Sequence, residues 1–258
     1  MNEFGIDSLS LSQYMAVTPT MISAIDFAIL KWGTSSAGPA QVNTPAYFNQ
    51  TMATGAYVVS NVQAIQAAGK PVGDYFFSYA WDAASAEYEA QITCEHLLSL
   101  SVQPDWPVFL DWESTGYWDY RMGAYEALIT AGITPTSAIV QAACDAWIAK
   151  VQSYGFRAGL YTSGSLASTL FTDTYLQDRR SNRNLFYWEA TWGASNMLSC
   201  DLWQYAGDQA WNGTVVDFDK VLDDRIWSGG GGGSSIPVWL KLYLANRGDT
   251  HGKHTLLL

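Results

Sequence analysis

Over its first 228 residues the chain alternates short apolar runs with amphipathic stretches, and this alternation constrains the fold more than any other feature. The apolar runs that read as strands are Phe4–Leu9, Phe27–Trp32, Val72–Tyr79, Val108–Glu113, Arg157–Thr162, Leu185–Ala190, Asp201–Tyr205 and Thr214–Phe218. Between them, Ala83–Leu100 reads as a helix capped by Asp82. Pro135–Tyr154 reads as another, with Thr134 as cap, Pro135 at the first helical position and Gly155 just past the end. A less regular helical region lies between Asn43 and Ala68. Strands separated by helices imply parallel pairing, hence an α/β architecture, and eight of them suit a barrel. The last three strands are only about ten residues apart, too close for crossover helices, so the end of the barrel is expected to be β-rich and irregular.

At Ser228 the composition changes to SGGGGGSS, a flexible linker. The expected organisation is a catalytic barrel over 1–227, a Gly/Ser linker over 228–235, and a tail over 236–258. In the tail, Ile236, Val238, Leu240, Leu242 and Leu244 alternate with Trp239, Lys241 and Tyr243, the pattern of a strand or hairpin. A lone hairpin is marginal in water, so the tail should dock on its own domain, on a second copy, or on another partner.

Hydrophobic residues make up 48% of the chain and charged residues 14%, so most of it must pack. A net charge of −11 argues against a nucleic-acid partner, which needs clustered Lys and Arg. Cys94, Cys144 and Cys200 are odd in number and form no CxxC, and they are expected to be buried free thiols. No apolar run is long enough to span a membrane. The first residues, MNEFGIDSLS, lack the pattern of a signal peptide, so synthesis in the cytoplasm is expected, with release by other means or incorporation in a virion.

Acids recur at strand ends. PVFLDWE closes a buried run with Asp111 and Glu113, which at i, i+2 face together while Trp112 faces away. FGID puts Asp7 at the end of the first strand, and VVDFD puts Asp217 and Asp219 at the end of the last. First and last strands are neighbours in a closed barrel, whose C-terminal strand ends form the active face. Acids gathered there cannot all ionise cheaply, so one keeps its proton beside an anionic neighbour, the pairing that glycosidic cleavage requires.

In the order GIDSLSLSQ, FAILKWG, GKPVGDYFFSYA, PVFLDWE, FRAGLYTSGS, LFYWEATWG, LWQYAG and VVDFD, residues 3–225 resemble glycoside hydrolase family 25, the lysozymes (muramidases) common in phage endolysins. The resemblance implies a modified TIM-like barrel of eight strands with few helices at its C-terminal end. It also implies retaining hydrolysis of the β-1,4 bond between N-acetylmuramic acid and N-acetylglucosamine in peptidoglycan, with no cofactor. By resemblance Glu113 is the general acid/base and Asp111 its electrostatic partner or the group steadying the substrate's acetamido arm. Asp7 and Asp217 match the remaining acids of the family. Tyr79, Tyr161, Trp203 and Tyr205, together with Trp32 and Trp192, stand near strand ends where rings could stack on sugars, and Gln204 is expected to bond a sugar amide. The sequence departs from the family at Asp219, where asparagine is more usual, and at Glu189. Asp219 would either alter the pH response or sit on the outer face.

Other chemistries fit poorly. The barrel region holds one histidine, His96, and no GxSxG, which argues against a serine hydrolase. No HExxH occurs, and His251 and His254 lie in the tail, so no metal site is expected. The rival reading is a non-catalytic peptidoglycan-binding or virion structural protein on the same barrel. For the tail, anchoring to wall or virion and strand pairing between copies both stay open.

Overall fold

The structure, a computed structural model, describes residues 3–8, 11–12, 14–34, 55–114, 123–193 and 195–228. The tail, all of the linker beyond Ser228 and the first part of the helical region expected over 43–68 lie outside these residues. Eight strands close one barrel in chain order: β1 Phe4–Ser8, β2 Phe27–Thr34, β3 Val72–Phe77, β4 Val108–Asp111, β5 Ala158–Ser163, β6 Phe186–Ala190, β7 Leu202–Trp211 and β8 Thr214–Val221. From β1 to β7 each neighbour pairs in parallel. β8 runs antiparallel to both β7 and β1.

Helices are α1 Pro19–Ser23, α2 Val58–Ala67, α3 Ala83–Ser99, α4 Ala124–Thr130, α5 Ser137–Ser153, the single turn α6 Gly164–Leu166, and α7 Asp173–Asn182. Asp82 caps α3 as expected, with its carboxylate accepting from Ser85 N at 2.7 Å. The cap of α5 is Thr136 rather than Thr134: its backbone is extended and its hydroxyl accepts from Ile139 N, so the helix starts two residues later than expected. Beyond β6 the described residues contain no α-helix, as the short spacings implied. β7 and β8 form one long hairpin whose turn, Asn212-Gly213, has both residues at positive φ (47° and 84°), the backbone of a tight two-residue turn. The hairpin extends past the expected strand ends because its outer part is half-exposed and shows no apolar run.

Alternation along the strands produces two apolar layers. Ile6, Leu30, Val72, Phe76, Val108, Leu110 and Leu160 point outward and pack with Cys94, Leu97, Trp147 and Val151 of α3 and α5. Ile29, Tyr75, Phe109, Tyr161, Trp188 and Leu202 point inward and fill the barrel. Each such burial contributes roughly 1.5–3 kcal/mol. At the floor, Trp106 packs on Phe27 and Trp227, with ring centroids 4.5 and 4.8 Å away. Nearby, the fully buried Asp201 carboxylate accepts from the Arg180 and Arg225 guanidinium groups and from Tyr187 N. A filled interior and a locked floor leave the mouth as the open end. All three cysteines are buried free thiols.

Candidate active site

Register places the acids. Asp7, near the end of β1, lies opposite Asp217 of β8, and Asp111, the last residue of β4, lies between Phe77 and Tyr161. β8 runs down from the mouth, so Asp217 lies within that strand rather than at its C-terminal end. The hairpin's reversal still brings it beside Asp7. Glu113 lies two residues past the end of β4, in the exit loop, where its carbonyl accepts from Tyr125 N at 3.2 Å. Trp112 points away as expected, its indole N–H bonded to Ala80 O at 2.9 Å.

The four acids share one space. Desolvation first, and then the charges of Asp7, Asp111, Glu113 and Asp217, hold the ionisations of the buried phenols Tyr75 and Tyr161 far above their ordinary range. Asp7 and Asp111 are buried, and Glu113 and Asp217 are half-buried. Desolvation, ahead of mutual repulsion, pushes the carboxyls of Asp7 and Asp111 well up. For Glu113, desolvation outweighs the opposing attraction of Lys31, and its carboxyl is pushed up to about 7. A proton is therefore held on Glu113 around neutrality. One oxygen of Asp111 is buried with no hydrogen-bond donor facing it among the described residues.

Gln204 organises this cluster. Its amide nitrogen donates to Asp7 Oδ2 at 2.8 Å and to Asp217 Oδ2 at 3.4 Å, and its amide oxygen accepts from Tyr161 Oη at 3.1 Å and Trp192 Nε1 at 3.3 Å. Asp217 also accepts from the backbone N–H of Asp208 at 2.6 Å, where an irregularity in β7 aims that group across the hairpin. Gln204 is thus engaged by protein groups on both sides of its amide.

The expected sugar-stacking residues divide. Tyr161 lies inside the mouth, and Tyr79 packs at its edge against Phe77, centroids 5.4 Å apart. Trp32, Trp203 and Tyr205 belong to the outer layer, which corrects their expected role. Trp32 is fully buried beside His96 of α3, Trp203 donates its indole N–H to Thr191 O and lies under Lys220, and Tyr205 packs on Phe218. Strand ends alone did not reveal their facing, because β2 bulges between Lys31 and Gly33 and β7 shifts register around Tyr205.

Sequence reasoning missed two participants, Lys31 and Tyr75. Lys31 sits 4.4 Å from the Phe77 ring centre and lowers the carboxyls of both Asp111 and Glu113; its place on the inner face, two residues beyond Ile29, was a usable signal. Tyr75 could have been found by the same alternation. Trp192 is two-thirds exposed (68%), yet its ring is fixed: a Cβ at Gly207 would meet it at 2.5 Å, so glycine there lets the indole lie on the strand. Glu189, unassigned from sequence, is buried and anchors the loop after β6. It accepts from Thr191 Oγ1 at 2.7 Å, Met197 N at 2.5 Å, Leu198 N at 2.9 Å and Tyr187 Oη at 3.3 Å.

The sequence model of glycosyl hydrolases family 25 matches residues 46–214, well over half of the chain. The chain belongs to glycosyl hydrolases family 25. It is accordingly a glycoside hydrolase, and Asp111 and Glu113 fall within the matched stretch, while Asp7 and Asp217 lie outside it and join the site by geometry. Solved structures share the barrel. The modular autolysin LytC of Streptococcus pneumoniae superposes with a TM-score of 0.62 at 15% identity over 86% of this chain and 47% of its own. The CTP1L endolysin gives 0.61 at 18% identity over 88% and 70%. The catalytic domain of endolysin ply40, from a bacteriophage of Listeria monocytogenes, gives 0.58 at 16% identity over 90% and 98%. This chain therefore spans about half of the autolysin but nearly all of the endolysin catalytic domain. No curated protein sequence matches it significantly. Within the family fold Asp219, expected either to alter the pH response or to lie outside, faces the barrel interior and is fully buried.

Proposed function

We propose that this glycosyl hydrolase is a lysozyme cutting the β-1,4 bond between N-acetylmuramic acid and N-acetylglucosamine of peptidoglycan, with retention of configuration. The observation that carries the reading is the gathering of Asp7, Asp111, Glu113 and Asp217 at the open mouth, where burial pushes the Glu113 carboxyl up to about 7 and keeps a proton on it near neutrality. Glu113 donates this proton to the glycosidic oxygen as the bond to the anomeric carbon breaks. The carboxylate left behind then takes a proton from water in the second half of the reaction. Asp111, with an oxygen that no donor among the described residues faces, stabilises the cationic sugar or accepts from its acetamido N–H. Asp7 and Asp217, tied together by Gln204, extend the negative wall that a cationic transition state requires.

Peptidoglycan as substrate is supported by family membership and by the likeness to LytC, one of whose structures is described as a complex with a synthetic peptidoglycan ligand. The likeness to the CTP1L and ply40 endolysins supports an endolysin role. A non-catalytic wall binder is disfavoured because a binding surface gains nothing from burying several carboxyls at the cost of their ionisation.

The test is digestion of purified cell walls followed by mass spectrometry of the fragments. Fragments ending in reducing N-acetylmuramic acid are expected, with the β-anomer formed first by NMR. Glu113→Gln should lower the rate by at least about a hundredfold with the fold intact. Release of reducing ends by that variant at the parent rate would remove Glu113 from the mechanism.

A further inference from the structure

Below the mouth, one layer deeper than Asp7 and Asp217, the inward-facing Asp219 has no exposure to solvent. The Trp188 indole N–H donates to its Oδ1 at 2.8 Å, while its Oδ2 is buried and has no hydrogen-bond partner among the described residues. Asp219 follows Asp217 by two residues on β8, so its side chain faces the interior one layer beneath Asp7, the strand partner of Asp217. The Asp7 Oδ2 is already occupied by the Gln204 amide. Two carboxylates facing each other with no donor between them repel, and with one proton between them they attract.

We propose that Asp219 is a positioning residue: clamped by Trp188, it shares a single proton with Asp7, so the two form one monoanionic unit that holds Asp7 under the mouth. This rests on the hydrolytic reading above and adds a participant to it. Burial, ahead of the charges of Asp219 and Asp217 on Asp7 and of Asp217 on Asp219, raises both carboxyls well above their ordinary range, which supports the shared proton, and the pair titrates as a unit. The other ionisable groups around it are Asp217 on β8, Tyr75 on β3, Tyr161 on β5 and, across β7, Tyr205. None of these groups, all among the described residues, is a cation, so among them the shared proton is what offsets the pair's negative charge. Fully deprotonated, the pair would place two buried negative charges in contact. With one proton, it offers the sugar a single, fixed negative group.

Asp219→Asn separates this from ordinary packing, because its amide oxygen can still accept from Trp188 while its amide nitrogen donates to an Asp7 carboxylate. In carbon-13 carboxyl NMR titrations without substrate, Asp7 in the parent should stay coupled to a second carboxyl and titrate above the ordinary range. In Asp219→Asn it should titrate in one step at lower pH; an unchanged Asp7 curve would overturn the shared proton. On soluble glycan fragments, Asp219→Ala should lose about ten- to a hundredfold in kcat, as for a lost charged hydrogen bond, with KM nearly unchanged and Asn restoring most of the loss. Parent kcat in a folded Asp219→Ala would overturn the positioning role. Should the Ala variant not fold, the titration of Asp219→Asn decides alone. Since the titration needs no substrate, its failure is separable from a failure of the hydrolytic reading, which Glu113→Gln reports.

Discussion

Glu113 and Asp74 are both desolvated carboxyls held protonated near neutrality, and their surroundings assign them different work. Glu113 opens to the mouth among acids and near Lys31. Asp74, on the outward face of β3 between Leu30 and Val108, is sealed in the apolar layer with neither oxygen bonded, and burial pushes it up to about 8. A carboxyl raised in the folded state favours folding at low pH, and that contribution is lost as pH rises from about 4 to about 8. Asp74 alone should therefore make stability fall by on the order of 1.4 kcal/mol per pH unit across that window. Chemical denaturation of Asp74→Asn at several pH values should show this slope removed, and a parent-like slope would refute the buried proton. At this scale the catalytic acids were legible in the sequence because D-x-E and G-I-D interrupt apolar runs. Asp74 interrupts one too, but its lack of a partner depends on neighbours from other strands. The same limit concealed the outward facing of Trp32 and Trp203.

The loop after β6 and the β7–β8 hairpin do at the element scale what helices do elsewhere in such barrels. Glu189 gathers donors from Thr191, Met197 and Leu198 and so fixes the loop that carries Trp192. Glu189→Ala should cost about 3 kcal/mol or more, since several bonds to a charged acceptor go together. It should also expose residues 191–200 to limited proteolysis; an unchanged melting curve and cleavage pattern would contradict the anchoring role. Trp192→Ala should raise KM on glycan fragments about three- to tenfold, the scale of one aromatic contact, with kcat little altered. Equal KM values would take the indole out of the binding surface. The β-rich end was foreseeable, since short spacings leave no room for helices. The antiparallel direction of β8 was not, because spacing admits either direction, and only the Asn212-Gly213 turn hinted at a hairpin.

For the whole molecule, closure of β8 on β1 completes the barrel by Val221. A chain cut after Ser228 should fold and hydrolyse soluble glycan fragments at the parent rate. Comparing its wall retention and its solution mass with those of the full chain separates anchoring from self-association of the tail. Loss of hydrolysis on soluble fragments would show that the barrel is not self-sufficient. What unites the scales is that strand register gathers acids distant in the chain around one opening and keeps a proton on Glu113. The most direct measurement is a carboxyl NMR titration of the intact protein labelled at glutamate, with Glu113 assigned through Glu113→Gln. A midpoint of about 7 is expected. A midpoint near 4.5, the ordinary value for glutamate, would mean that Glu113 is ionised at neutral pH and cannot be the proton donor.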